Sequence, residues 1–473
     1  MLSHLYNAWL AKLVALGQAP GLWIVPLWTN TVFEIVERWL QEVFSVVAAE
    51  RIGASGTVLI FFWGAFALAS KVNRRPAWLV APLLAMLAYG FVFHQGLTDF
   101  YISVGLLLVF LTLVWQGGLG NWLTAVPIFL LACMAHASAA AWMIGLTGYA
   151  LIARKLRPRL HAPLLLLSFL GLLAIRQYWL AHFESRWAAR QILSVTGADQ
   201  FWVFGRQYAV FSLAALLVWG MLAFQRGRDW RDTTTRVFAQ LYLLSACAVI
   251  LLPSSIKLAA FQVPFSSIYE RMSLITAVLA CVIAAGAEPK RWHAVVLPLV
   301  GLLYFSFLYL DHRAINRIEA KVESLVAQLP PQQRVLALLP SLRSGDADAH
   351  LLSRIDDRLA NFLAKLPSGR QVIQLFPKSR LGLIRIIDRV CIGRCFSYAN
   401  YEPATHQFRV RAGPGNRIVE WDAKADSALL QGHYVVKRAD SPLYQIYRCG
   451  NASTDLCIRS LAAGEVNGAA SIR

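Results

Sequence analysis

From residue 54 to residue 310 the sequence passes through one apolar block after another, with charges confined to the short stretches between them. A membrane-crossing helix needs roughly 17–25 mostly apolar residues. That rule picks out candidates at 54–70, 77–94, 97–115, 122–135, 138–153, 161–181, 207–225, 236–253, 270–287 and 292–310. The block 121–155 is too long for one helix and divides at Met-Ala-His-Ala-Ser-Ala, 134–139, into two short ones. Composition agrees: 57% of the residues are apolar, against about 45–50% in a soluble domain. The expected fold is a polytopic α-helical membrane protein of about ten transmembrane helices, with a small α/β domain after them.

The loops orient it. Lys-Val-Asn-Arg-Arg-Pro (71–76), Arg-Lys-Leu-Arg-Pro-Arg (154–159), the stretch 225–232 and Glu-Pro-Lys-Arg-Trp (288–292) are basic. They fall at alternate crossings only if 121–155 counts as two spans. Cations in short loops mark the cytoplasmic side. Residues 1–53, 94–99, 135–138, 182–206 and 253–269, and the chain after about 311, then face out. The formal charge of +19 is accounted for by such loops rather than by nucleic-acid binding. No phosphate-binding Gly-rich loop, His-Glu-x-x-His helix or Cys-x-x-Cys pair occurs, which argues against ATP-driven pumping and a structural zinc.

Three domains are expected: a first outer loop with amphipathic surface helices (1–53), the transmembrane domain (54–310) and an extracytoplasmic α/β domain (311–473). Residues 311–333 form a charged amphipathic helix that stops at Pro330-Pro331. Arg-Gln-Val-Ile-Gln-Leu-Phe (370–376) and His-Tyr-Val-Val-Lys-Arg-Ala (433–439) alternate as strands do, and 356–366 has a helical pattern. Cys133, Cys247 and Cys281 lie in apolar spans and pack there. Cys391, Cys395, Cys449 and Cys457 all lie in the tail. In an oxidising compartment they would form two disulfides, in any of three pairings; free thiols and a metal site are the alternatives.

Ionisable residues at membrane depth are expensive, so each is a functional candidate. On the outward side these are His94 and Asp99 at one turn, and His136 at the break in 121–155. Arg176 follows in an apolar run, with His182, Glu184, Arg186, Arg190 and Arg206 after it. Lys257, Glu270 and Arg271 complete the set. Each has an ordinary alternative: His94 as an interfacial side chain, Asp99 as the cap of the helix that follows it, Glu184 and Arg186 as a solvated loop. The arginines and lysine suit a phosphate, and a lipid phosphate sits at this depth. Neighbouring histidines and carboxylates suit acid–base work or a divalent cation, Mg or Mn. Glu34 and Glu37 are three apart and share a helical face. Their segment, 29–44, reads as an amphipathic helix lying along the outer surface.

Several stretches carry a resemblance: His-Leu-Tyr-Asn-Ala-Trp and the residues to Trp23, "VFHQGLTDFYISVGL" (92–106), "MAHAS" (134–138), "YERMSL" (269–274) and 388–412. They are similar to a group of bacterial membrane proteins. The layout resembles the GT-C superfamily of membrane glycosyltransferases. The resemblance implies a bacterial inner-membrane enzyme that moves a sugar from a polyprenyl-phosphate donor to an extracytoplasmic acceptor. It also implies an acidic residue just after a first span, with a histidine close behind. His4 fits that histidine; the acid and first span would precede residue 1, or Glu34 supplies the carboxylate. The expected roles are Glu34 and His4 in catalysis, and His94, His136, Arg176, Lys257, Glu270 and Arg271 in binding substrate. The competing readings are a non-catalytic envelope protein whose tail domain binds a partner or glycan, and a transporter.

Overall fold

The computed structural model describes residues 24–25, 28–204, 206–226, 232–257 and 265–327, and beyond them the strands named below. Its helices are α1 (Val32–Val43), α2 (Val46–Asn73), α3 (Ala81–Ala88), α4 (Phe91–His94), α5 (Thr98–Gln116) and α6 (Leu119–Ala135). They continue as α7 (Ala137–Lys155), α8 (His161–His182), α9 (Ala209–Arg226), α10 (Thr233–Leu251), α11 (Ile268–Ala284) and α12 (His293–Ala327). Among the described residues, five helical stretches are long and apolar enough to cross a membrane: Val47–Asn73, Thr98–Gln116, Pro158–His182, Thr233–Leu251 and His293–Arg317. Shorter apolar helices cover Trp78–His94, Leu119–Ala135 and Ala209–Gln225. This is the make-up of a helical membrane protein.

Helix boundaries follow local chemistry. Gly117 and Gly118, at φ +74° and +88°, turn the chain between α5 and α6 in a conformation that side chains resist. The expected division of 121–155 is there: α6 ends at Ala135 and α7 begins at Ala137. Asp232 caps α10 by accepting from Thr235 N at 2.9 Å. The segment 77–94, expected as one span, is broken at Tyr89–Gly90 into α3 and α4. A Cβ at Gly90 would come within 2.9 Å of Leu87 O and 3.1 Å of Gln200 O, so the break also admits a neighbouring backbone. Residues 311–327 do form a helix, but as the continuation of α12 rather than a separate element.

The chain forms two units. The first holds Trp28–Val36 and Val47–Leu308. Its central helices are α5 and α11, whose side chains are almost all buried. α2 crosses α5 at near backbone contact: a Cβ on Gly64 would lie 2.3 Å from Gly105 O, and one on Gly105 2.7 Å from Ile60 O. Small residues let membrane helices approach this closely. α8 lies at the rim with almost every side chain at least partly exposed, as suits a helix facing lipid. Polar side chains bridge the rest; Gln240 Oε1 takes a hydrogen bond from the Tyr149 hydroxyl at 3.0 Å and lies 3.3 Å from His161 Nδ1.

The basic stretches gather at one end. Arg75 donates to the carbonyls of Ala285 and Ala287, next to 288–292. One cleft is lined by residues from 66–76, 112–116, Arg154 and 232–234.

The second unit includes Glu37–Val46 and the described residues from Tyr309 onward. Strand numbering begins at β1 (Ile24–Val25), and the first unit holds β2 (Glu184–Arg186), β3 (Ser255–Lys257) and β4 (Phe265–Ser266). The second unit adds β5 (Arg334–Leu338), β6 (Leu375–Phe376), β7 (Gly382–Ile386), β8 (Val390–Cys391) and β9 (Ser397–Glu402). It ends with β10 (Gln407–Ala412), β11 (Arg417–Asp422), β12 (Leu443–Arg448) and β13 (Leu456–Leu461). An antiparallel sheet has the order β11-β10-β9-β7-β6, and a mixed sheet the order β13-β12-β5. β1 pairs with β8 in parallel. The expected helix at 356–366 and strand at 433–439 lie outside the described residues, as do Cys395 and Cys449. Cys391 is in β8, and Cys457, in β13, is disulfide-bonded. Cys133, Cys247 and Cys281 are free thiols in helices.

Candidate functional site at the polar end of the bundle

The end opposite the basic stretches is built around the break between α6 and α7. His136 occupies that break with an extended backbone (φ −161°, ψ 101°) and caps α7. Its Nδ1 accepts from Ala139 N at 3.3 Å and lies 3.0 Å from Ser138 Oγ. The same break anchors the start of α1. Asn30 N donates to Ala135 O at 3.1 Å, and Thr29 Oγ1 donates to Cys133 O at 3.0 Å while accepting from Ala137 N at 2.8 Å. Asp99, a functional candidate with capping of its own helix as the ordinary alternative, caps α1: its Oδ1 accepts from Phe33 N at 2.9 Å. The first turn of α1, which carries Glu34, is thereby fixed against α5 and the α6–α7 break.

Arg271 is the largest fully buried side chain among the described residues. Its guanidinium carbon lies 5.7 Å from the centre of the Phe100 ring and 4.6 Å from that of Phe265 in β4. Phe100 also meets the His136 ring edge-on, with centroids 5.2 Å apart. Thus α5 supplies both the carboxylate that holds α1 and the aromatic ring shared by a buried arginine and a buried histidine. Glu34 (3% exposed), Asp99 (3%), His136 (4%) and Arg271 (2%) are all withdrawn from the surface. Glu34 and Glu37 were expected on a surface helix; both side chains are buried instead. Burying charges costs several kcal/mol each unless they are compensated, and this end concentrates them.

The other expected cations sit around the small antiparallel sheet β2-β3-β4. Lys257 in β3 lies directly opposite Glu184 in β2, and its Nζ donates to Glu184 Oε2 at 3.0 Å. The ammonium group draws the Glu184 carboxyl below its usual pKa. Arg176, on α8, places its guanidinium 5.5 Å from the ring of Trp187, the residue after β2. Phe265, which covers Arg271, is in β4. The sheet therefore borders all three cations, but in different settings: Lys257 in an exposed ion pair, Arg176 half-buried on an indole, Arg271 enclosed.

Of the expected outer loop 182–206, residues 191–204 are largely folded into the bundle. Gln191 Nε2 donates to Val249 O and Leu252 O, 2.9 and 2.7 Å away, closing the end of α10. Gly197, at φ +84°, leaves no room for a Cβ, which would fall 2.5 Å from Ala277 N in α11. The 3₁₀ turn Ala198–Phe201 then carries Asp199 and Gln200 inward. Ser273 Oγ donates to Asp199 Oδ1, and Gln200 Nε2 donates to Asp199 Oδ2 at 3.2 Å and to Glu270 O at 3.1 Å. Burial raises the Asp199 carboxyl to about 7 against these hydrogen bonds. Asp199 is not among the candidates expected in the outward-facing loop 182–206, which are His182, Glu184, Arg186, Arg190 and Arg206. The available signal is the apolar run Phe201, Val203 and Phe204, all three buried.

Of the remaining expected residues, His94 donates from Nδ1 to Gly90 O at 3.0 Å, and its ring meets Phe204 at 5.1 Å. Glu270 is half-buried in the first turn of α11. His4 lies outside the described residues. The structure ties Asp99 to the helix of Glu34 by a hydrogen bond and links His136 to Arg271 through the Phe100 ring, and it ties His94 and Glu270 to the inserted segment. No group of three His, Cys, Asp or Glu side chains among the described residues is arranged to hold a metal ion. No protein-family model, curated protein sequence or solved structure matches the chain.

Proposed function

We propose that this chain is an inner-membrane glycosyltransferase of GT-C-like layout, using a polyprenyl-phosphate sugar at the polar end of the bundle. In this reading the ten apolar segments are ten spans. The basic end is cytoplasmic, and the strand-rich tail is an extracytoplasmic domain that binds acceptor. The disulfide at Cys457 supports an oxidising location for that tail.

The observation that carries the reading is Arg271, a fully buried guanidinium between two aromatic rings at the end where Asp99, Glu34 and His136 also lie inside the protein. In sugar transfer the acceptor oxygen bonds to the anomeric carbon as the bond from that carbon to the phosphate oxygen breaks. The acceptor's proton passes to a carboxylate, and the polyprenyl phosphate leaves with the electron pair. Negative charge grows on the phosphate as it departs, and a fixed arginine in a dry site stabilises that charge most. Glu34, buried on the first turn of α1, is the carboxylate base in this scheme, and His136 orients the sugar.

The test is native mass spectrometry of the full-length protein with polyprenyl phosphate as probe. The wild type should retain it, and Arg271→Ala should weaken retention at least tenfold while keeping its helical circular dichroism. Arg271→Lys, which retains charge without the planar fork, should fall between the two. Unchanged retention in both variants would remove the phosphate site from this end.

A further inference from the structure

The cleft at the basic end has no part in the proposed reaction, yet it has the chemistry of a ligand site. It holds about 1100 Å³ and lies between α2, α5, α7 and α10. Three cations from separate elements line it: Lys71 at the end of α2, Arg74 in the turn after it and Arg154 near the end of α7. Arg74 adopts φ +55°, a backbone conformation that non-glycine residues rarely take. Arg154 is positioned in advance. Its Nη1 donates to Trp115 O at 2.5 Å, and its guanidinium lies 4.8 Å from the centre of the Trp115 ring. A guanidinium has five N–H donors, so others remain for a ligand.

The acid in the lining, Asp232, is committed to capping α10: its Oδ2 accepts from Thr235 N and Thr235 Oγ1, each at 2.9 Å. Among the described residues none of the three cations forms an ion pair. The lining is completed by the N-terminus of α10 at Thr233 and Thr234, where the positive end of the helix dipole is partly offset by the Asp232 cap. Three cations against one committed carboxylate select an anion.

One edge of the cleft is apolar. Phe66 and Ala67 contribute to the lining, and Phe66 packs on Trp78 with ring centroids 4.8 Å apart. Trp78 is largely exposed, as aromatic residues at a membrane interface are. A soluble phosphate has no use for that edge; a lipid does.

We infer that this cleft binds the phosphate of an anionic phospholipid, with the acyl chains leaving along Phe66 and Trp78. Basic pockets between helices recognise anionic headgroups in this way. The inference rests on the cleft alone and does not depend on the glycosyltransferase reading.

The test titrates the full-length protein in detergent with phosphatidylglycerol, phosphatidylcholine and inorganic phosphate, counting bound adducts by native mass spectrometry. Phosphatidylglycerol should bind at least tenfold more tightly than phosphatidylcholine. The variant carrying Lys71→Gln and Arg74→Gln should lose roughly tenfold of that affinity. A second variant, Arg157→Gln with Arg159→Gln, removes the same charge from exposed positions outside the cleft and should change it less than twofold. Equal losses in the two variants would reduce the effect to general surface charge and overturn the inference. Inorganic phosphate competing as well as the lipid would overturn it in favour of a soluble phosphate ester. All four side chains are exposed, so both variants should fold, which an unchanged melting temperature checks.

Discussion

At the scale of single residues, apolar context made some of the candidate site legible. Arg271, Asp99 and His136 stood out as ionisable groups in or beside apolar runs, and all three are buried. Context could not say what they touch. Asp99 looked like the cap of α5, but its partner, Phe33 N, is 66 residues away. Lys257 looked equivalent to Arg271, yet it lies in an exposed pair with Glu184. Exposed ion pairs contribute about 0–1 kcal/mol, so Lys257→Ala should leave the melting temperature within about a degree of wild type in a thermal scan. Asp199 should behave differently. Its carboxyl titrates at about 7 when folded, against an ordinary value near 3.8. The folded chain therefore holds the proton more tightly than the unfolded chain. Stability is highest below about pH 4, falls as pH rises towards 7 and levels off above it. Asp199→Asn removes this dependence. Between pH 5 and 8 the wild-type melting temperature should fall several degrees further than that of the variant; parallel curves would contradict the burial of Asp199.

At the scale of elements, most helices could be placed because their apolar runs are long and sharply bounded by basic stretches, Gly117-Gly118 and Asp232. The elements that were misjudged have internal polarity that no periodicity reveals. The segment 182–206 carries three arginines, two glutamines and one aspartate, but Gln191, Asp199 and Gln200 spend their polar groups on helix ends inside the protein. The Tyr89–Gly90 break was hidden because glycine is common in membrane helices. Close packing of α2 on α5 gives a direct test. Gly105→Ala would drive a Cβ into the backbone at Ile60 and Phe61, neither of which can swing aside. Overpacking of this kind costs about 1–3 kcal/mol or more, read as a lower melting temperature and more aggregate on size exclusion. Gly120→Ala, where a Cβ meets nothing within 4 Å, should be neutral or slightly stabilising.

For the whole molecule, the helical unit has two chemically distinct ends. One collects the basic stretches and the cleft of Lys71, Arg74 and Arg154. The other collects Glu34, Asp99, His136, Arg271 and the inserted segment. Alternation of loop charge made this division readable from sequence, because short loops carry the orientation signal. Which residues meet at each end was not readable, since it depends on packing between helices far apart in the chain. Orientation can be checked in intact bacterial cells. A membrane-impermeant maleimide should label Glu184→Cys from outside, and Arg159→Cys only after permeabilisation; the reverse pattern would invert the topology. The central claim, that the polar end receives a polyprenyl-phosphate sugar, is tested most directly by photocrosslinking. Full-length protein in membranes would be irradiated with a polyprenyl phosphate carrying a photoreactive group beside the phosphate, and the labelled peptides mapped. The account predicts labelling in 94–103, 134–139 and 265–273, lost in Arg271→Ala. Labelling confined to the basic end, or unaltered by that substitution, would contradict it.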